Sequence, residues 1–299
     1  MRKALFAVFF LSLLLCACKD DQIKQQEAIT VLEEQVQQNQ DPELTNQLIE
    51  AYRNYVNAYP DDHTNCGRYL YRLAALLHAQ KRYTGAANAI KQALKDHYTS
   101  DATPTAALLL GTIYKENLKN EFLAASVYQA FLQAFPQHEK AEAIRKDYGD
   151  LPPFSERLKS LADQLLDTIN HRINYQVAND FVNACEVYAF MLPDDPKTPE
   201  LAHKAGEMAR SVSHFARAVE LYDWVYHRYP EHPKAPQALF MKAFIYSDDL
   251  KDTAKARQAF EEFLARFPND GFADDAQFLL DNLGKPDEEI IKSFEASQQ

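Results

Sequence analysis

A helix-closing motif that returns about every 38 residues restricts this chain more than any other feature. Between His214 and Pro268 two apolar stretches each end in an aromatic-Pro pair, with another helix between them. Ala218, Leu221, Tyr222, Val225 and Tyr229 precede Pro230; Ala256, Ala259, Phe260, Phe263 and Phe267 precede Pro268, 38 residues later. The i, i+3, i+4, i+7 spacing is one face of an α-helix, and proline cannot continue the ladder, so each helix ends there. Tyr59-Pro60 and Phe135-Pro136 close similar stretches 76 residues apart, with Tyr98 at their midpoint. Leu192-Pro193 lies 37 residues before Pro230 and makes a sixth. Twelve residues before these positions stand Leu48, Ala86, Ala124, Phe181, Ala218 and Ala256, and four of the six are Ala, the size that a close helix crossing needs. Eight before stand Tyr52, Ile90, Tyr128, Cys185, Tyr222 and Phe260, which are mostly large and apolar. The helix ahead of each closing helix carries its own small residue, in Ala74, Leu110-Gly111-x-x-Tyr114, Ala205-Gly206 and Ala243-x-x-Tyr246.

This order of small, Ala, aromatic and Pro positions resembles the tetratricopeptide repeat. The resemblance covers nearly all of the chain after residue 40, in copies about four residues longer than the usual 34. It implies an all-α fold, a tetratricopeptide-like α-solenoid of about six helical hairpins in two blocks of three. The halves read as copies at an offset of 132, with Pro104 on Pro236, Tyr114 on Tyr246, Ala124 on Ala256 and Phe135-Pro136 on Phe267-Pro268. Gly149-Asp150-Leu151-Pro152-Pro153 is the strongest break, a Gly cap followed by a Pro pair. The expected organisation is a signal over 1–17, a lipidated linker and first helix over 18–41, a repeat block over 42–148, the break at 149–153, and a second block over 154–299. Helices are expected at about 23–38, from Asp41-Pro42 onward, and at 139–148. A further one passes through Leu158, Leu161, Leu165, Ile169 and Ile173, and a tail helix is expected at 287–296.

Residues 1–17 do not belong to the repeats. Arg2 and Lys3 precede an apolar run from Ala4 to Leu15, too short to span a bilayer and patterned as a secretory signal. It ends Leu15-Cys16-Ala17-Cys18, which resembles the lipobox of bacterial lipoproteins with Cys18 as the lipidated residue. A diacylglycerol plus an amide-linked acyl chain would meet the need for more than one anchor. Cleavage leaves 30 basic against 43 acidic residues, a balance of −13. That charge, with no basic stripe, disfavours nucleic-acid binding. Lys19-Asp20-Asp21 lacks Asp directly after the Cys. It resembles the export signal that sends some lipoproteins to the outer face of the outer membrane in one Gram-negative phylum.

No catalytic constellation is visible. There is no Gly-rich phosphate loop, and the nine His residues have no metal spacing. The acid pairs Asp61-Asp62, Asp194-Asp195, Asp248-Asp249 and Asp274-Asp275 fall at turns or helix starts. Cys185 occupies a core slot, Cys66 begins a different repeat, and Trp224 lies off the stripe of its helix and is expected to pack on a neighbour. The expectation is a non-enzyme without cofactor or metal. The family resemblance implies that first helices line an inner face, which puts Arg68, Tyr71, His78, Thr112 and Lys115 there in the first block. In the second it puts Glu200, His203, Glu207, Arg210, Gln237, Phe240 and Ser247 there. The implied function is a membrane-anchored scaffold for protein or peptide partners. Tyr229-Pro230-Glu231-His232-Pro233-Lys234-Ala235 with the lipobox resembles BamD-like lipoproteins of the outer-membrane barrel-assembly machinery, and also periplasmic coordinators of the cell envelope. The alternative is a surface-displayed binder of an extracellular ligand or glycan.

Overall fold

The computed structural model describes residues 2–39, 41–167, 172–286 and 288–289, with side chains from residue 20 on except that of residue 167. The chain divides into two compact units, Met1–Tyr148 and Gly149–Gln299. The first contains α1 (Arg2–Asn39), α2 (Pro42–Ala58), α3 (His63–Ala79), α4 (Tyr83–Asp96), α5 (Thr103–Thr112), α6 (Glu121–Ala134) and α7 (Ala141–Tyr148). The second contains α8 (Phe154–Ala162), a strand pair β1 (Leu166–Asp167) and β2 (Arg172–Ile173), α9 (Tyr175–Met191), α10 (Thr198–Ser211), α11 (Phe215–Arg228), α12 (Lys234–Phe244), α13 (Thr253–Arg266) and α14 (Ala273–Asp281). Within each unit helices that follow one another in sequence pack together, so the fold is an all-α stack of tetratricopeptide-like hairpins.

The packing follows the small-residue slots. Ala86, Ala124, Ala218 and Ala256 are fully buried at the crossings. Gly111 lies so close to Tyr128 that an added Cβ would meet its ring carbons at 2.6 Å, and Gly206 stands to Tyr222 in the same relation at 2.9 Å. A hydrogen is the only side chain that leaves room for these rings, which fill the space between paired helices.

The six closing helices end alike. Their C-caps are Tyr59, His97, Phe135, Leu192, Tyr229 and Phe267, with φ between −134° and −128°. Five precede Pro, which keeps the preceding residue out of the helical well; His97 precedes Tyr98 and adopts the same shape. Three residues on, an amide donates back to each cap carbonyl, from Asp62, Ser100, His138, Asp195, His232 and Asp270. The side chains of those same six residues then accept a backbone N–H two or three positions further along. Carboxylate, hydroxyl and imidazole Nδ1 fill one structural role, that of a local acceptor for a free turn amide. The motif Tyr229-Pro230-Glu231-His232 is one instance of this turn.

The turns inside the hairpins come in two kinds. After α3 and α10 the chain caps with Lys81 and Ser213 at φ 60° and 61°. Arg82 and His214 then donate five residues back, to Leu77 and Ala209. After α5 and α12 the helix widens into π-helical segments, Ile113–Asn117 and Ile245–Asp249, capped by Lys119 and Lys251, both at φ 53°. Leu118 donates to Ile113 and Asn120 to Tyr114, and Leu250 and Asp252 repeat both bonds. Gly111 and Ala243 stand 25 residues before Pro136 and Pro268, whereas Gly206 stands 24 before Pro230. The π segment absorbs that extra residue. All four caps, and both π segments, recur at the offset of 132.

One expected helix is corrected. The stretch from Leu158 to Ile173 is not a single helix: α8 stops at Ala162, and the chain turns back through a pair with Leu166 opposite Ile173 and Asp167 opposite Arg172. Asn174 decides this. Its side chain accepts from the amides of Gln176 and Val177, which starts α9 at Tyr175. A helix running to Ile173 would leave no residues for the turn between α8 and α9. Leu158 and Leu161 are buried as expected, while Leu166 is 64% exposed. The tail helix expected at 287–296 falls almost wholly outside the described residues. Asp41 caps α2 at the amide of Glu43, with Pro42 at the first helical position. Trp224 packs edge-on against Phe190 and Tyr229. Cys66 and Cys185 are buried free thiols.

Candidate functional site

The first helices of the hairpins carry the candidate contact residues, and the fold treats them unequally. In the first unit Arg68 is exposed and holds Asp101 with two bonds of 2.8 and 2.6 Å. This fork-to-carboxylate pair ties α3 to the start of the next hairpin. Tyr71 is half-buried on the same helix. Further along α3, His78 Nε2 lies 2.9 Å from Asn117 Oδ1, in the π segment of the next repeat. The second unit repeats that contact at the offset of 132: Arg210 Nε donates to Asp249 at 2.6 Å, and its guanidinium lies 4.8 Å from the centre of the Phe244 ring. Sequence reasoning placed His78 and Arg210 on a surface but missed that they bridge repeats. The 132-residue correspondence of 78 with 210 and 117 with 249 was the signal available.

Thr112 is exposed, but its hydroxyl donates back to Leu108. Lys115 lies 5.4 Å from the centre of the Tyr148 ring. Both line a cleft of about 310 Å³ with Leu108, Tyr128, Ile144 and Tyr148, where the last repeat of the unit meets α7. A second cleft of about 400 Å³ has a floor of Leu70, Leu73 and Leu77, with Arg53, Asn57 and Asn88 at its rim. In the second unit Glu200 and Glu207 are exposed. The Glu207 carboxyl faces His203 Nδ1 at 3.4 Å, and that contact holds it below its ordinary range. Gln237 accepts from Lys234 Nζ at 2.8 Å, and Ser247 is half-buried.

Two expected surface residues are not on the surface. His203 is 1% exposed, with its ring on Tyr222. Phe240 is 7% exposed and packs with Phe244, Phe260, Phe263 and Phe272. The family resemblance put them on the inner face, but residues of the neighbouring closing helices cover them. The remaining ten are exposed or half-buried and carry three cations, two carboxylates, two aliphatic hydroxyls, one amide, an imidazole and a tyrosine, with His78 and Arg210 engaged between repeats. Among the described residues no group of three or more His, Cys, Asp or Glu could hold a metal ion. No helix among them is long and apolar enough to cross a membrane.

Residues 105–138 and 237–270 match the tetratricopeptide-repeat family model. These two segments are tetratricopeptide repeats. They begin and end at positions 132 apart, and each holds one of the π segments. The tetratricopeptide repeats therefore include Thr112, Lys115, Gln237 and Ser247 from the candidate set. Among solved structures the chain is similar to the TPR2AB domain of yeast Sti1 in its pHSP90 complex, at 16% identity, covering 87% of this chain and 97% of that one, with a TM-score of 0.32. It is also similar to the C-terminal part of a repeat-containing protein from Cytophaga hutchinsonii, at 16% identity, 83% and 98% coverage and a TM-score of 0.29. At those scores neither adds to the repeat assignment. No curated protein matches the sequence.

Proposed function

We propose that this protein is a non-enzymatic scaffold, anchored in a bacterial outer membrane through lipid on Cys18, that binds protein partners of the cell envelope along the first helices of its repeats. The observation that carries the binding reading is the pair of tetratricopeptide repeats at 105–138 and 237–270, with Thr112 exposed in the first and Glu200 and Glu207 exposed on the neighbouring α10. Leu15-Cys16-Ala17-Cys18 after a basic, apolar leader supports the anchor. The test is affinity isolation from detergent-solubilised envelopes, with Cys18→Ala as the unanchored control. Recovery of a defined envelope protein, reduced several-fold by charge reversal at Glu200 and Glu207, supports the scaffold. Recovery of no envelope partner overturns it. Recovery of barrel-assembly proteins would extend the reading to a BamD-like subunit. Lys19-Asp20-Asp21 favours a second reading, display on the outer leaflet with an extracellular ligand or glycan as target. Protease digestion of intact cells separates the two, since digestion without lysis requires display.

A further inference from the structure

The middle of α1, just past Cys18, bears on how such an anchor would work. Asp21, three residues after Cys18, accepts from the Tyr59 hydroxyl at 2.7 Å. Gln22 donates to Tyr55 and Asp62, each at 2.9 Å, and Gln26 donates to the same Tyr55 hydroxyl. Tyr55 completes the cluster by donating to Asp62 at 2.6 Å. Further along α1, Ile29 is 1% exposed, and Glu33 accepts from both Tyr52 and Arg72. Among the described side chains, contacts of α1 with α2, its C-cap and α3 therefore begin at Asp21, and the α-helix already includes position 18. Most flexible tethers need a run of polar or small residues free of such contacts, and none lies between Cys18 and the folded unit.

We infer that the first repeat unit rests directly on the lipid headgroup layer, with the turn from Tyr59 to Asp62 and the adjoining turn from Tyr98 to Asp101 as the contacting edge. This rests on the lipid-anchor reading. Three residues of helix advance about 4.5 Å, and even a fully extended link of three residues reaches only about 10 Å. The Tyr59 turn is level with Asp21. The next turn is joined to the start of α3, directly after the Tyr59 turn, through Ser100, which donates to Thr64 at 3.0 Å, and through His63 and His97, whose Nδ1 atoms are 3.1 Å apart. Among the described side chains, the exposed charges beside Cys18 on α1 and in these two turns are Asp20, Asp21, Asp61 and Asp101, the last paired with Arg68, with Lys24 one turn along α1. An edge of that sign gains nothing from anionic lipid. Its partner is a zwitterionic phospholipid surface, held by the acyl chains and by geometry.

The test uses the acylated full-length protein in phosphatidylcholine vesicles that carry a headgroup-tethered nitroxide quencher. A fluorophore is placed at Asp61→Cys or, as the distant reference at the C-terminal end of α1, at Asn39→Cys, and mass spectrometry reports the acyl groups on Cys18. Quenching at position 61 at least threefold stronger than at 39, lost when a twelve-residue Gly/Ser segment is inserted after Cys18, is the expected result. Equal quenching at both sites with Cys18 acylated overturns the headgroup contact and leaves the anchor standing. A Cys18 without lipid overturns both. Helical circular dichroism of each variant shows that the labelled proteins are folded.

Discussion

At the scale of single residues, a repeated turn is built from chemically different side chains. Asp62, Ser100, His138, Asp195, His232 and Asp270 share one task, to accept a backbone amide that the turn leaves free. In His138 and His232 the acceptor is Nδ1. Replacing His232 by Asn should preserve stability to within about 0.5 kcal/mol, whereas His232→Ala should cost about 1 kcal/mol through the lost acceptor; urea unfolding of both variants measures the difference. His97 makes a second prediction. Burial, with the adjacent His63 adding to it, pushes its imidazole down to about 4 from an ordinary 6.5. The folded protein keeps the ring neutral while the unfolded chain takes up a proton, so stability is full above about pH 6.5 and declines as the pH falls toward 4. The decline attributable to this ring is on the order of 2–3 kcal/mol. Unfolding curves at pH 7.5 and 4.5 should therefore separate less in His97→Gln than in the unmodified protein, and equal separation would contradict the assignment.

At the scale of elements, the π segments set the third and sixth repeats apart from the second and fifth. The extra residue is held by a wider helical turn and a cap with positive φ at Lys119 or Lys251. A side chain in the left-handed region costs about 1–2 kcal/mol relative to glycine. Lys251 is exposed, and its ammonium contacts Asp248 only at 3.5 Å on the surface, a pair of little worth. Lys251→Gly is therefore expected to stabilise the protein by about 0.5–1 kcal/mol net of the entropy that Gly adds to the unfolded chain. A lower thermal midpoint in that variant would show that the cap is not strained. The same logic applies to Ser213, at φ 61°. The hairpin between α8 and α9 makes the opposite point, since an N-cap at Asn174 outweighed a run of apolar residues at helical spacing.

At the scale of the whole molecule, each unit holds a series of hairpins with a short helix, α7 or α14, packed on the last closing helix. A hairpin cannot bury its own apolar face, so a stack needs several members and a terminal cover. The first unit meets that condition within itself: its buried residues run from Ile29 to Tyr148. A fragment of residues 19–148 should accordingly unfold in one cooperative transition with strong helical dichroism. A fragment ending at 134, which lacks α7 and exposes the faces covered by Ile144 and Tyr148, should unfold at a lower midpoint. Identical midpoints would mean that α7 contributes nothing as a cap.

The periodicity of Ala, aromatic and Pro positions determined the six closing helices, their order and their ends, because each signal is local. A helical face needs apolar residues at its own spacing, proline stops a helix wherever it stands, and Asp41-Pro42 begins one without help from other parts of the chain. The candidate contact residues were legible only as positions on a helix. Whether His203 and Phe240 reach solvent, whether Asp21 is free or bound to Tyr59, and whether an extra residue lengthens a loop or widens a helix all depend on what neighbouring helices do. Those outcomes belong to tertiary packing, because burial is a property of the pair of surfaces that meet.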